Sequence, residues 1–257
     1  MIDRALSRFF RRGRHGDPRA PQVWSGIYRS FDELPHSDTP YASHEAMKAA
    51  EALLRETEAD PMPREAMIDH QVLALAVRLM HAPEVAILDF GGGVGQSYAA
   101  LRRMLSPEIR LRYRIVDLED VASRGQELWK QHGEVDFSSD FEQPEFPASI
   151  VFAKGFIQYI ADVPALLGSW FARSPRFVLL EKLSVVTSPA YVTTQRNVYG
   201  KDLPYWMFNI GDLDEVARAS GYTIVLQRRL ERVYDQSDFP PDLRMGRATS
   251  LLFERAT

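Results

Sequence analysis

The sequence feature with the clearest chemical meaning is a set of glycines that follows an apolar run. Residues 85–90 are apolar apart from Asp89, and Gly91, Gly93 and Gly95 follow at alternate positions. Glycine lets the backbone approach a ligand closely and adopt positive φ. A carboxylate two residues before the first glycine would repel a pyrophosphate but would attract an ammonium or sulfonium group. The pattern therefore predicts a ligand site at this loop, next to a negative charge.

The spacing of these glycines indicates which classes of ligand the loop can bind. A dinucleotide fingerprint, G-x-G-x-x-G, needs a glycine at the sixth position, where the sequence has Gln96 counted from Gly91 and Tyr98 counted from Gly93. The sequence also lacks the phosphate loop G-x-x-x-x-G-K-[ST]. Phosphoryl transfer through such a loop is therefore excluded. An NAD(P)-dependent oxidoreductase stays as an alternative that the spacing disfavours.

The elements that must position this loop are short apolar runs, which alternate with amphipathic stretches after Pro83. Helices are predicted at 94–105, 119–132 and 162–173, and strands at 85–90, 111–117, 134–137, 149–153, 176–181, 222–230 and 249–254. This alternation predicts an α/β fold with a mostly parallel seven-stranded sheet and helices on both faces. The last two strands should pair antiparallel at one end of the sheet.

The chain before the first of these strands is organised differently. We expect a basic arm over residues 1–20, a helical extension or cap over 21–82, and the ligand-binding core over 83–257. Within the extension, the spacing of apolar residues predicts helices at 43–58 and 64–81.

Two aromatic segments lie outside this regular pattern. The cluster 23–28 is too aromatic for a linker, and we expect it to pack on the core. Residues 183–210 are rich in aromatic residues and lack helical periodicity, so they predict a long loop that acts as a lid. An inert insertion, packed by its own aromatic side chains, is the alternative.

The glycine loop and its flanking aspartates resemble the first motifs of class I S-adenosylmethionine (SAM)-dependent methyltransferases, which have a Rossmann-like sheet. The resemblance implies that Asp89, Gly91, Gly93 and Gly95 lie under the methionine part of the cofactor. It implies that Asp117, which closes the second strand of the core, accepts both ribose hydroxyls.

Later segments extend the resemblance in the same order. Residues 139–142 resemble the step that holds adenine, with Asp140 at the amino group and Phe141 over the ring. Residues 151–162 resemble the fourth-strand motif of small-molecule O-methyltransferases, which implies that Lys154 contacts adenine or a loop carbonyl. Four motifs in this order predict SAM as the cofactor.

The chain also resembles a group of bacterial proteins assigned as methyltransferases of undetermined substrate. The matching segments are Trp24-Ser25-Gly26-Ile27-Tyr28, Leu88-Asp89-Phe90-Gly91-Gly92, Gln158-Tyr159 and Leu203-Pro204-Tyr205-Trp206-Met207-Phe208. The resemblance implies an enzyme but supplies no substrate.

We expect the catalytic residues at the ends of the fourth and fifth core strands. Gln158 stands where the O-methyltransferases carry a histidine base, so Glu181, at the end of the fifth strand, is the candidate base. A surface ion pair is the alternative for Glu181. Gln158 and Tyr159 are candidates for orienting the acceptor, and Tyr159 could instead belong to the core. A carboxylate acceptor would need no base.

Contacts to the methyl acceptor are assigned to aromatic residues on both sides of the core. The candidates are Trp24, Tyr28, Tyr205 and Trp206, with core or lid packing as the alternative. The six histidines show no metal-ligand spacing, so we expect no metal.

Composition narrows the class of protein. The 257 residues include no cysteine, which excludes disulfides, thiolate zinc sites, iron–sulfur clusters and a cysteine nucleophile. No apolar run is long enough for a membrane span, and we expect a cytoplasmic protein.

Charge is distributed unevenly around a net value of −4. Residues 1–19 are basic and the remainder is acidic, which argues against nucleic acid as a partner and favours a small polar or sugar-linked acceptor. Residues 1–16 could contact anionic lipid weakly, with a frayed tail as the alternative.

For the function of the whole chain, the remaining alternative is a non-catalytic assembly protein on the SAM-binding fold. The sequence does not indicate an oligomeric state.

Overall fold

The computed structural model describes residues 22–35, 40–60, 64–142, 146–230 and 234–256. The basic arm, 1–20, lies outside the described residues. Its contact with lipid therefore stays a prediction.

Within these ranges ten strands form one sheet, whose centre has the predicted parallel arrangement. Seven of them follow the order β4-β3-β2-β5-β6-β10-β9, and β8, β7 and β1 continue the sheet beyond β6. The strands are β1 (Trp24–Tyr28), β2 (Glu84–Phe90), β3 (Arg110–Val116), β4 (Val135–Ser138), β5 (Ile150–Lys154), β6 (Phe177–Val186), β7 (Tyr191–Val198), β8 (Lys201–Asn209), β9 (Tyr222–Leu230) and β10 (Ala248–Arg255). Strands β2 to β6 run parallel to one another, and β10 is antiparallel to β6 and β9. The antiparallel final pair is thus confirmed, whereas the expected total of seven strands was too low.

Seven α-helices in the described residues cover the two faces of the sheet. They are α1 (His44–Ala59), α2 (Arg64–Asp69), α3 (Gln71–Leu79), α4 (Gln96–Met104), α5 (Glu119–Leu128), α6 (Val163–Ala172) and α7 (Ile210–Ala219). Side chains alternate along each strand, so Ile87 and Phe152 pack under α1, α3, α4 and α5 while Leu88 and Val151 pack under α6 and α7. The prediction of helices on both faces is confirmed.

The helix predicted over 64–81 is interrupted at His70. The imidazole Nδ1 bonds the carbonyl of Ala66 at 2.6 Å, which is the acceptor that the backbone N–H of His70 would use in a continuous α-helix. That N–H bonds Met67 instead, at 3.2 Å. Asp69 is therefore the last residue of α2, and His70 alone separates it from α3.

The segment predicted as a long lid loop, 183–210, is a β-hairpin. It contains the end of β6 and all of β7 and β8, and β1 pairs with β7. The hairpin turns at Tyr199 and Gly200, which both have positive φ, as a two-residue type I′ turn requires. Alternating residues of β8, Leu203, Tyr205 and Met207, are buried. The expectation of an irregular loop was therefore wrong, and the aromatic cluster 23–28 supplies the edge strand β1.

The hairpin is anchored to the end of β6. Val185 and Val186 pair in parallel with Phe208 and Asn209. Just before them Lys182 has a φ of 58°, beside the register shift between β10 and β6. This left-handed residue marks an irregularity in β6 at the carboxyl edge of the central strands.

Candidate functional site

The glycine loop between β2 and α4 is shaped by two close approaches. A Cβ on Gly91, where φ is 71°, would lie 2.5 Å from the Phe156 ring, and a Cβ on Gly92 would lie 2.6 Å from Asp89 Oδ2. Gly93 has a φ of 61°. The loop therefore closes over Asp89 and against Phe156, and larger residues would displace it.

The loop is joined to the end of β3 through Asp117. The backbone N–H of Gly93 donates to Oδ2 of Asp117 at 2.8 Å, and the N–H of Leu118 donates to Oδ1 at 2.8 Å. Burial raises the pKa of Asp117, and the two N–H groups oppose that shift. A carboxylate offers about four lone-pair positions, so both oxygens can still accept ligand hydroxyls.

Asp89 lies beneath the loop and is buried, with 1% of its surface exposed. Tyr113 donates to its Oδ2 at 2.7 Å, and its Oδ1 has no hydrogen-bond partner among the described residues. Burial raises the pKa of Asp89 to about 7, although the Tyr113 hydrogen bond lowers it. A cation above the loop would interact with this carboxylate through space.

The aromatic residue predicted to cover adenine lies beside the loop. Phe141 stacks on Phe156 with ring centroids 5.9 Å apart and an interplanar angle of 5°. Asp140 is exposed, and its Oδ1 accepts the N–H of Glu142 at 3.0 Å. The structure thus brings Phe141 to the glycine loop, whereas Asp140 lies in an exposed turn.

Lys154 ends β5 and pairs in register with Glu181, which lies in the middle of β6 because that strand continues past its predicted end to Val186. Glu181 is 2% exposed, and its Oε2 has no hydrogen-bond partner among the described residues. Burial raises the pKa of Glu181 to about 7, while Lys154 and Lys182 lower it. The alternative of a surface ion pair for Glu181 was wrong, because Lys182 pairs with Asp69 instead, at 2.8 Å.

His70, which was not among the predicted site residues, contacts Lys154. His70 is 3% exposed, and its Nε2 lies 2.9 Å from Lys154 Nζ and 3.1 Å from Ser97 Oγ. Burial, followed by the charge of Lys154, holds the pKa of His70 well below its usual value. No motif contains His70, because its partners come from three separate segments of the chain.

The candidates for orienting the acceptor lie where the hairpin meets β5. Gln158 is fully buried and donates from Nε2 to the carbonyl of Lys182 at 2.6 Å, and its Oε1 has no partner among the described residues. Tyr159 donates to Gln195 at 2.7 Å, and its ring lies edge-on to that of Tyr205 at 5.2 Å. The structure therefore brings Gln158, Tyr159 and Tyr205 into one region.

The other aromatic residues predicted to contact the acceptor lie outside this region or behind it. Trp24 is buried against Tyr205 and Tyr234, with centroids 5.8 Å and 4.5 Å away, so it packs behind Tyr205. Trp206 packs with the cluster under α6 and α7 and donates to Ile160 at 3.0 Å, which places it on the opposite face of β8 from Tyr205. Tyr28 is half-buried and folds back over its own strand.

Two further properties concern the described part of the chain. None of its helices is both long and apolar enough to cross a membrane. Its side chains form no group of three or more histidines, aspartates or glutamates that could hold a metal ion.

The sequence matches no protein-family model and no curated protein. Solved structures match it by fold. A magnesium protoporphyrin IX methyltransferase from Synechocystis PCC 6803, with bound S-adenosylhomocysteine, has a TM-score of 0.56 and 14% identity over 84% of this chain and 96% of its own. A 1,6-didemethyltoxoflavin-N1-methyltransferase from Burkholderia thailandensis has a TM-score of 0.52 and 15% identity over 87% and 93%. An S-adenosylmethionine-dependent methyltransferase from Clostridium acetobutylicum has a TM-score of 0.51 and 11% identity over 83% and 99%. The chain therefore has the fold of these enzymes, as the resemblance implied.

Proposed function

We propose that this chain, which has the class I methyltransferase fold, is a SAM-dependent methyltransferase acting on a small polar or sugar-linked molecule. The observation that carries the proposal is the hydrogen bond from Gly93 to Asp117. It joins the loop suited to the methionine part of the cofactor to the carboxylate suited to ribose hydroxyls. Two of the compared structures contain S-adenosylhomocysteine, the product form of that cofactor.

The residues at this edge of the sheet fit such a cofactor. Gly91 and Gly93 hold left-handed backbone that lets a ligand approach closely, and Phe141 offers a flat apolar surface for adenine. Asp89 keeps a buried oxygen without a partner beneath the loop, which favours a positive charge above it. When bound, SAM supplies an electrophilic methyl group on a positively charged sulfur.

Glu181 is the proposed general base for a hydroxyl acceptor. A pKa of about 7 leaves part of its carboxyl groups ionised at neutral pH and well matched to accept a proton. Gln158 cannot take up a proton, so its amide and the Tyr159 hydroxyl would orient the acceptor. A carboxylate acceptor is already nucleophilic and would need only this orientation. O-methylation is accordingly the favoured reaction.

The acceptor is proposed to lie between the end of β5 and the hairpin. Tyr205 and Tyr159 line this region, and the Tyr205 hydroxyl lies 2.8 Å from Ser184 Oγ. Trp24 would support Tyr205 from behind. Trp206 and Tyr28 face elsewhere and have no assigned contact with the acceptor.

Calorimetric titration with S-adenosylhomocysteine tests the cofactor assignment. We expect the protein to bind it, and Asp117→Ala to lose about tenfold or more in affinity because a charged hydrogen-bond acceptor is removed. Asp136→Ala is the matched control, since Asp136 pairs with Arg114 and its side chain is 45% exposed. Equal binding by the wild type and Asp117→Ala would contradict the site.

Two alternatives predict different results. A dinucleotide-dependent oxidoreductase would be stabilised thermally by NAD or NADP and not by S-adenosylhomocysteine. A non-catalytic protein of this fold would bind S-adenosylhomocysteine but transfer no labelled methyl group from SAM to any small molecule in an extract. Transfer that is lost in Glu181→Gln would support the enzyme and its proposed base.

A further inference from the structure

His70 belongs to none of the motifs that the proposed function uses, yet it is held at the carboxyl edge of the sheet. Its ring connects the break between α2 and α3 with the last residue of β5, through the 2.6 Å contact to Ala66 and the 2.9 Å contact to Lys154. Ser97, in the first turn of α4, contributes the 3.1 Å contact. Three elements around the glycine loop therefore meet at one buried imidazole.

The partners of His70 determine where its proton lies. The carbonyl of Ala66 can only accept, so Nδ1 carries the hydrogen. The Lys154 ammonium can only donate, so Nε2 must offer its lone pair. The imidazole is thus neutral and in the Nδ1–H tautomer, since a protonated ring would set two cations against each other.

Charged groups surround Lys154 from each element packed against it. Asp69 Oδ2 lies 3.5 Å from Lys154 Nζ and 2.8 Å from Lys182 Nζ, and Glu181 pairs in register with Lys154 on the next strand. A flexible lysine beside two carboxyl groups has several possible partners. The bond to His70 selects one position for its ammonium.

Building on the proposed function, we infer that His70 is a positioning residue for Lys154. By accepting one ammonium hydrogen, the neutral imidazole holds the positive charge of Lys154 at the end of β5. There the ammonium lies at the edge of the sheet proposed for the adenosyl cofactor, 2.9 Å from Nε2 of His70 and 3.5 Å from Oδ2 of Asp69. In this role His70 acts through Lys154 and is assigned no contact of its own with cofactor or acceptor.

A double-mutant cycle with S-adenosylhomocysteine as the probe tests this role. We expect His70→Phe to weaken binding about tenfold, because the hydrogen bond to a charged group is lost. His70→Gln keeps an uncharged acceptor and should bind within about threefold of the wild type. If His70 acts through Lys154, the double variant with Lys154→Met should bind no more weakly than Lys154→Met alone. His132→Gln, at an imidazole whose side chain is 51% exposed, is the matched control.

Additive losses in the cycle, or equal binding by His70→Phe and the wild type, would overturn the inference. Urea unfolding of each variant separates a loss of fold from a loss of position. A wild type that fails to bind S-adenosylhomocysteine would instead contradict the proposed function.

A spectroscopic measurement tests the link between the two residues without any ligand. In ¹⁵N spectra of histidine-labelled protein, His70 should show a protonated Nδ1 and no titration between about pH 5.5 and about pH 8. Its Nε2 resonance should move in Lys154→Met and stay in place in His132→Gln. A titrating His70, or an Nε2 resonance that ignores Lys154→Met, would refute the inference directly.

Discussion

Replacing Asp89 with asparagine should stabilise the free protein and weaken its preference for a sulfonium ligand. Asp89 is buried beneath the glycine loop, where burial raises its pKa from 3.8 to about 7. Asparagine has no proton to lose, and its amide oxygen can still accept the hydrogen bond from Tyr113. The substitution therefore removes the cost of burying a charge and leaves the packing nearly unchanged.

The size of the effect follows from the shift in pKa. A raised pKa means that the folded protein keeps a proton that the unfolded chain has released, so the wild type loses stability as pH rises from about 4 to about 7. Above that range the cost is about 4 kcal/mol, and at about pH 5 it is about 2 kcal/mol. Asp89→Asn should exceed the wild type in free energy of unfolding by these amounts. Besides Tyr113, the groups that face Asp89 are Asp117, Lys154 and Glu181, which the variant retains.

Urea unfolding at about pH 5 and about pH 8, on both proteins, measures the difference. A binding experiment on both proteins compares the affinity for SAM with that for S-adenosylhomocysteine, which lacks the sulfonium charge. A sulfonium above the loop favours the ionised carboxyl, so the wild-type ratio of the two affinities should rise by up to about tenfold between pH 6 and pH 8 from Asp89 alone. In Asp89→Asn, the part of this rise in the affinity ratio that comes from Asp89 should be absent. A stability difference that is the same at both pH values would refute the assignment of a protonatable, buried Asp89.

Three other substitutions give separate checks. Gly91→Ala places a Cβ 2.5 Å from the Phe156 ring at a φ of 71°, so it should destabilise the fold by about 1–3 kcal/mol and reduce S-adenosylhomocysteine binding; unchanged calorimetric affinity would contradict the loop assignment. Asp117→Asn keeps the side-chain size but loses an acceptor, and its affinity should fall by about tenfold, with adenine alone binding as before. Trp24→Ala should cost about 3–5 kcal/mol in urea unfolding with S-adenosylhomocysteine affinity retained; a large loss of affinity in a folded variant would show that Trp24 contacts the ligand.

The central part of the fold could be predicted from the sequence because its signals are local. Strand β2, the glycine loop and helix α4 are adjacent in the chain, and the buried run 85–90 passes directly into Gly91. The alternation of strands and helices then requires the polar strand ends to meet at one edge. Asp117, whose role the family resemblance implied, follows β3 and therefore lies at the same edge, where it accepts a hydrogen bond from Gly93.

The hairpin could not be predicted from local signals. Its turn is Tyr199-Gly200 and lacks the Asn-Gly or Asp-Gly pair that usually indicates such a turn. Its strands are stabilised by distant partners, with β1 on one side and the end of β6 on the other. Helix α7 was also missed, although Asn209 caps it by accepting from Gly211 at 2.8 Å.

The environment of charged side chains was likewise invisible in the sequence. Glu181 and Lys182 are adjacent residues, yet one is buried and the other pairs with Asp69, because β6 is irregular at Lys182. His70 reaches Lys154 only because α3, which it precedes, is folded against β5. Such pairings depend on tertiary geometry, which spacing along the chain does not encode.

The irregularity in β6 has a consequence for how this protein can diversify. Before the irregularity, Glu181 pairs with Lys154 of β5, whereas after it Val185 and Val186 pair with β8 and begin the attachment of the hairpin. Insertions or deletions at the Tyr199-Gly200 tip would change the hairpin, which faces the proposed acceptor site, and leave the register of Lys154 and Glu181 intact. Under the proposed function, acceptor choice and cofactor binding would thus depend on separate parts of the sheet.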